Sequence, residues 1–377
     1  MIKDIRMVDL FGQYTKIKNE IDNAIQAVID STSFIKGKEV NLFEASLGTY
    51  LGTPNVISCG NGTDALQVAL MALDLLPGDE VITTPFSFVA TVEVIKLLQL
   101  KPVLVDIKPD TFNINEENIE NAITSRTKAI IPVHLFGQCS NMERINDIAI
   151  KNELFVIEDN AQGLGADYYF TDGKKKKAGT IGTIGCTSFF PSKNLGAFGD
   201  GGAVFTNDPD IAKKLRSIVN HGMRKKYYYE YIGVNSRLDT IQAAILNVKL
   251  KYLDIYNEAR QKAAGFYDSA LRNVRDITIP ARSNYSIHIY HQYTLRIGSG
   301  KRDALQLHLE KNKIPVMIYY PESLHTQPAY CDLGYKEGDF PVSEAICKEV
   351  LSLPMHTELE EEQLNYITEK VIEFVNK

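Results

Sequence analysis

The sequence is short of cysteine, has no excess of basic residues and contains no long apolar run. Each shortage removes a class of protein. Five cysteines stand among 377 residues. They are Cys59, Cys139, Cys186, Cys331 and Cys347, far apart and without a C-x-x-C pair. This usage argues against a disulfide framework or a zinc site, and it suits a reducing compartment; no metal is expected. The net charge of -6 gives no reason to expect a nucleic-acid partner, although an acidic chain can hold local basic pockets. No apolar run approaches the roughly 20 residues needed to span a bilayer. The opening MIKDIRMVDLFGQY lacks the apolar core of a signal peptide. The expectation is a cytoplasmic protein with no membrane partner. Two nucleotide fingerprints are missing as well. No GK[ST] follows the glycines of CGNGTDAL, so it is not a Walker loop, and no GxGxxG turn marks a nicotinamide dehydrogenase.

What is present is ordinary in bulk, with 44% hydrophobic and 23% charged residues, and the length suits two unequal domains. From about residue 55, short β-rich runs alternate with helical patterns. NVISC, EVITT, PVLVDI, AIIPV, LFVIED, TSFF and GGAVFTN read as strands. TDALQVALMAL, VATVEVIKLLQ and NMERINDIAIKN have helical spacing, and further helices are expected at about 208–219 and 237–260. Such alternation reads as βα units around a buried, largely parallel sheet. Beyond about 250 the pattern becomes mixed α+β, through QYTLRI to the amphipathic EEEQLNYITEKVIEFV. The division expected is a large α/β domain over 1–250 and a smaller α+β domain over 251–377. KKKK at 174–177 reads as a solvated loop or a phosphate-contacting patch. YYYEY at 227–231 reads as core, interface or substrate lid.

Three segments carry chemistry. In CGNGTDAL a strand ends in a glycine turn and Thr63 opens a helix. A helix start offers unpaired N–H groups and a favourable dipole to an anion; the alternative is a plain N-cap. In EDNAQGLGA, Asp159 closes an apolar strand. Ligands gather at the carboxyl ends of parallel strands, and a carboxylate there suits a buried cationic ring nitrogen. Otherwise it is a cap or turn residue. Gln162, three residues on, points to the same region if the chain turns helically. In TSFFPSKNLGAFGDGGAVFTN, Lys193 stands on a glycine-rich loop between two strands. Partial burial lowers a lysine pKa, and Schiff-base chemistry needs the neutral amine; otherwise the side chain simply exits to solvent.

With these motifs in that order, the chain resembles the DegT/DnrJ/StrS family of nucleotide-sugar aminotransferases over nearly its whole length. The likeness rests on STSFIKGKEVNLFE, CGNGTDAL, PGDEVITTPFSFVAT, PVLVDIKPDTFN, HLFGQ, VIEDNAQGLGA, SFFPSKNLGAFGDGGA and GVNSRLDTIQAA. It implies the pyridoxal 5'-phosphate (PLP)-dependent transferase fold type I, aspartate aminotransferase-like, and PLP as cofactor. By resemblance, Lys193 matches the Schiff-base lysine. Asp159 matches the partner of the pyridine nitrogen, Gln162 the neighbour of the phenolic oxygen, and Phe88 the aromatic stacked on the ring. Gly62, Thr63, the backbone at Asp64, and Ser188 match phosphate contacts. Asn235 matches a phosphate contact contributed by the partner subunit, which implies a homodimer with shared active sites.

Within the family the likeness is nearest to the branch acting on UDP-2-acetamido-2-deoxy-3-oxo-glucuronate, with glutamate as amino donor, in lipopolysaccharide and other polysaccharide biosynthesis. A uronate carries a carboxylate, and Arg237 suits it as a bidentate partner unless it pairs with Asp239. The alternative substrate is a dTDP-linked 3- or 4-keto-6-deoxy sugar. A non-catalytic regulator on the same scaffold is a further alternative, since fold alone does not prove activity. Tyr319 stands where the family commonly has His, before Tyr320 and Pro321. His325 and Tyr320 are the other candidate substrate contacts.

Overall fold

A computed structural model describes residues 4–376. The apolar runs become strands β1 (Asn55–Cys59), β2 (Glu80–Thr83), β3 (Lys101–Leu104), β4 (Thr127–Ile130) and β5 (Phe155–Asp159). A hairpin of β6 (Asp167–Tyr169) and β7 (Lys175–Lys177) follows, then β8 (Ile184–Ser188) and β9 (Gly202–Thr206). Seven of these form one sheet in the order β1-β9-β8-β5-β4-β2-β3. β3, β2, β4, β5 and β8 pair in parallel, and β9 runs antiparallel to both β8 and β1.

Both faces of the sheet are covered, which is why its strands read as near-continuous apolar runs. Side chains alternate across the pleat. Ile57 and Val204 pack on one face against the helices Gly62–Met71, Ala90–Leu97 and Pro209–Ile218. Val56, Ala203 and Phe205 pack on the other against Lys38–Leu51 and Thr240–Leu250.

After a second hairpin, β10 (Met223–Lys225) with β11 (Tyr228–Tyr229), the chain builds a separate core. Its sheet is β12 (Ile277–Thr278), β13 (Tyr293–Ile297) and β14 (Val350–Leu353), all antiparallel. The helices Leu253–Leu271, Arg302–Lys311 and Glu361–Val375 pack on it through Tyr267, Leu305, Leu309, Ile367 and Val371. Ile5 joins this same core, and the Met355 N–H donates to Met7 O at 3.3 Å. Residues 5–7 thus touch the second core, whereas Ile17 and Ile21 pack against Ile245 and Val248 of the helix Thr240–Leu250.

Three local expectations change. The single helix expected over 237–260 is two, Thr240–Leu250 and Leu253–Leu271. The joint is made by tight turns, Lys251 N–H to Val248 O and Tyr252 N–H to Lys249 O, with no glycine or proline to mark it. The lysine run is strand β7, not a loop. Lys175 and Lys177 pair with Asp167, and Lys174 with Asp172. The run therefore has carboxylate partners of its own and does not line the cleft described below. The tyrosines of YYYEY are not core, since Tyr227 is 73% exposed on the β10–β11 hairpin.

Candidate active site

The carboxyl ends of β1, β2, β4, β5 and β8 open onto one cleft of about 760 Å³, large enough for a cofactor and a substrate. At the end of β1 the chain turns into the helix Gly62–Met71. Asn61 caps it, its side chain accepting the Asp64 N–H at 2.8 Å. The expectation that Thr63 begins the helix is therefore corrected by one cap: Asn61 is the N-cap. The Asp64 N–H is also spent on it and is not offered to a ligand. The N–H groups of Gly62 and Thr63 precede the first intrahelical bonds. A Cβ on Gly62 would lie 2.6 Å from the Ser188 Cβ, and one on Gly202 would lie 2.3 Å from Asn61 O. Backbone, Thr63 and Ser188 thus close a cup that only glycine at these two positions permits.

Asp159 ends β5 and is 5% exposed. Its Oδ2 accepts from Thr91 Oγ1 at 2.7 Å and its Oδ1 from the Ala161 N–H at 3.2 Å. Both partners are neutral, so the carboxylate keeps its charge for something placed in the cleft. Gln162 is fixed by the Phe136 N–H donating to Oε1 at 2.7 Å, and its Nε2 donates to the Tyr320 hydroxyl at 3.3 Å. Burial pushes the Tyr320 phenol far up, so it stays protonated. Phe88, 57% exposed, lines the cleft with an apolar ring on which no other ring of the described residues stacks.

Lys193 lines the cleft from the loop between β8 and β9. Burial lowers its pKa to about 8, opposed by the charge of Asp159. Its loop is pinned from behind by polar side chains. The Lys249 ammonium donates to Gly196 O at 2.5 Å, Asn194 donates to Asn257 at 2.7 Å, and Gln242 accepts the Phe198 N–H at 2.8 Å.

The remaining candidates separate into two places. Tyr320 and Tyr319 line the cleft. His325 does not: its ring is fully buried between Ser323 Oγ at 2.8 Å and Glu344 Oε1 at 3.0 Å. Both nitrogens are occupied within the chain, which removes His325 from the candidate substrate contacts. Asn235 and Arg237 do not line this chain's own cleft either. Between them, buried Ser236 donates to Asp64 Oδ2 at 2.6 Å and accepts the Gly60 N–H at 2.9 Å. That docks the stretch behind the cup, and period-two alternation turns its two neighbours away from Ser236. Arg237 makes no ion pair among the described residues, with Asp239 or any other group.

Sequence reasoning missed Asn61, Thr91, Lys249 and His291. Thr91 lay in the quoted motif PGDEVITTPFSFVAT and Asn61 in CGNGTDAL, so both were in view without a role. Lys249 sits in a stretch that read only as helix, and His291 stands just before QYTLRI, in a stretch given no role.

The cleft suits a flat, phosphorylated, cationic ring. It has a cup for the phosphate, a buried carboxylate with only neutral partners, an aromatic face and an amine of lowered pKa. A mostly parallel sheet of this order, with these groups at its carboxyl end, has the architecture of the PLP transferases of fold type I. Residues 15–372 match the model of the DegT/DnrJ/EryC1/StrS aminotransferase family, and the chain belongs to that family. It is a PLP-dependent aminotransferase.

The chain is 48% identical over 373 residues to a pleiotropic regulatory protein of Geobacillus stearothermophilus, covering 98% of each. It is 45% identical over 363 residues to the UDP-2-acetamido-2-deoxy-3-oxo-D-glucuronate aminotransferase of Pseudomonas aeruginosa, covering 96% of this chain and 98% of that one. It is 40% identical over 374 residues to the dTDP-3-amino-3,6-dideoxy-alpha-D-galactopyranose transaminase of Aneurinibacillus thermoaerophilus, covering 99% and 98%. Among solved structures, NtdA from Bacillus subtilis with bound cofactor PMP superposes with a TM-score of 0.92 at 32% identity, covering 100% of this chain and 86% of that one. Among the described residues no helix is long and apolar enough to cross a membrane.

Proposed function

We propose that this aminotransferase moves an amino group from glutamate onto UDP-2-acetamido-2-deoxy-3-oxo-glucuronate, for cell-surface polysaccharide such as lipopolysaccharide. It works in the cytoplasm as a homodimer with shared sites. The observation that carries the amino transfer is Lys193 and Asp159 facing one cleft beside a glycine-walled cup. When bound, PLP supplies an electron-withdrawing ring that lets the carbon bearing the nitrogen give up a proton. The protein does the rest. Gly62, Thr63 and Ser188 hold the phosphate, and Phe88 covers the ring face. Asp159 holds the proton on the ring nitrogen. Gln162 orients the phenolic side, and Lys193 carries the proton between carbon centres.

The uronate rests on Arg237, a guanidinium with no carboxylate of its own, together with the likeness to the Pseudomonas aeruginosa enzyme. A 6-deoxy sugar offers a methyl there, which leaves such an arginine without a partner. The relative named for regulation does not change this reading, because a binding module has no need of Lys193, Asp159, Gln162 and Phe88 together. The test is a panel of UDP- and dTDP-linked keto sugars with glutamate, read by mass spectrometry. Mass gain on the UDP-keto-uronate ahead of the others is expected. Preferred amination of a dTDP-3- or 4-keto-6-deoxy sugar, as the name of the Aneurinibacillus relative suggests, overturns the substrate.

The shared site has its own test. On this reading Asn235 reaches the phosphate and Arg237 the sugar in the partner subunit's site. Asn235→Ala is expected to weaken PLP retention, and Arg237→Ala mainly to weaken sugar binding. A substrate carboxylate left without its charged partner makes that second loss large. Mixing Lys193→Ala with Arg237→Ala subunits, both inactive, leaves one intact site per mixed dimer. Activity then returns to as much as about half the normal value per dimer, as two-fold symmetry requires. No recovery, after exchange is proven by mass, places both residues in one chain's site.

A further inference from the structure

One buried group in the cleft has no part in the site described so far. His291, just before β13, is 6% exposed and lines the same cleft as Lys193. Its Nδ1 is wholly buried and has no hydrogen-bond partner among the described residues. An orphaned buried acceptor costs about 1–3 kcal/mol, and few native structures keep one without reason.

The residue is held firmly. Arg260, itself buried among carbonyls, donates to His291 O at 3.3 Å, Tyr290 O at 3.2 Å and Met355 O at 3.0 Å. A Cβ on Gly137 would come within 3.0 Å of the His291 nitrogen, so the large-domain turn presses directly on this backbone. The charged groups that act on the ring are Lys193 and Arg260. Burial first, then these two cations, keep it neutral well below the ordinary histidine range. Lys193, for its part, makes no hydrogen bond through its amine among the described residues. Two polar groups without hydrogen bonds among the described residues therefore line one cleft, and the charge of Lys193 acts on the imidazole.

We propose that His291 is a positioning residue for Lys193. Its Nδ1, with the ring proton on Nε2, accepts a hydrogen bond from the Lys193 amine whenever that amine is freed from the cofactor. The bond parks the amine over the cleft in the orientation from which it takes and returns a proton. The inference rests on Lys193 being the Schiff-base lysine. An apolar residue of similar size would pack as well or better at this position, yet would leave the freed amine without a partner.

The test compares His291→Leu and His291→Asn as full-length proteins, because the asparagine amide reaches roughly the place of Nδ1. The first readout is spectroscopic: the pH midpoint of the rate, followed by absorbance, at which each protein stripped of cofactor captures PLP, which reads the free Lys193 amine. Losing an acceptor destabilises the protonated nitrogen, so the leucine variant is expected to titrate lower by about half a pH unit or more. The asparagine variant should stay near the parent. In single turnover with glutamate the leucine variant should be slower by about tenfold or more, with KM little changed and the asparagine variant largely rescued. Equal midpoints in all three proteins overturn the proposal. So does a leucine variant whose only change is a lower Tm, or an asparagine variant no better than leucine. Borohydride labelling runs alongside. Label on a lysine other than Lys193 sinks the functional reading itself, whereas label on Lys193 with unmoved midpoints sinks only the role of His291.

Discussion

Lys193→Ala is expected to abolish turnover, a loss of about 10⁴-fold or more, because the change removes both the attachment point and the proton carrier. The fold should survive, since the loop is pinned by Lys249, Asn194 and Gln242 and not by Lys193. Cofactor should still bind through the cup and Phe88, but without covalent attachment. Borohydride reduction followed by peptide mapping checks this: the parent carries the label on Lys193 and the variant carries none. A label on another lysine of the parent overturns the assignment. The pKa adds a direction. Lys193 is held at about 8, below its ordinary 10.5, and only the neutral amine attacks the cofactor's aldehyde. Capture of PLP by the cofactor-free protein should therefore speed up as pH rises through about 8 and level off above it. A lysine at its ordinary value would keep the rate climbing well beyond pH 9.

Asp159→Asn is expected to cost turnover far more than stability. The amide keeps the size of the side chain and can still bond Thr91 and the Ala161 N–H, so the buried surroundings stay satisfied. What disappears is the negative charge that keeps the ring nitrogen protonated. Removing one partner of a buried ionic pair costs several kcal/mol, which corresponds to on the order of a hundredfold or more in rate. Steady-state kinetics beside a thermal melt separates the two effects. Near-normal activity would mean that another group supplies the charge.

The large sheet was legible because its chemistry is local and periodic. LFVIED, buried from Val156 onward, and the strand within GGAVFTN, buried on both faces, read as strands without any knowledge of neighbours. The cofactor residues were legible for a related reason, since Asp159 and Ser188 close strands and Thr63 lies in the first turn of a helix, where the direction of the chain alone decides which end a side chain reaches. Failures came where three-dimensional neighbours decide. His325 looked like a ligand-loop histidine, but Glu344 comes from a helix 19 residues later in the chain to claim it. The 251–252 joint has no breaker residue. His291 lines the site, and Lys249 pins its loop from behind, only because elements far apart in sequence meet, and neither shows a pattern within its own segment. Arg237 lay between: its two-residue spacing from Asn235 could be read, whereas its freedom from Asp239 could not.

β9 is the one strand of the large sheet that runs against its neighbours, and it enters at the end where the cleft lies. The segment bearing Lys193 therefore leaves β8 and returns through β9 at the same rim, closed by the Phe189 N–H to Gly201 O bond at 2.7 Å. It behaves as a bridge tied at both ends, where a parallel successor would have carried the chain away to the far side of the sheet. The backbone has little slack to follow the chemistry. The working stroke belongs to the side chain alone, rotation about the bonds of a four-carbon stem, which occurs in roughly picoseconds to nanoseconds where space allows. The lysine can be released and recaptured in every cycle without any segment of the main chain having to open.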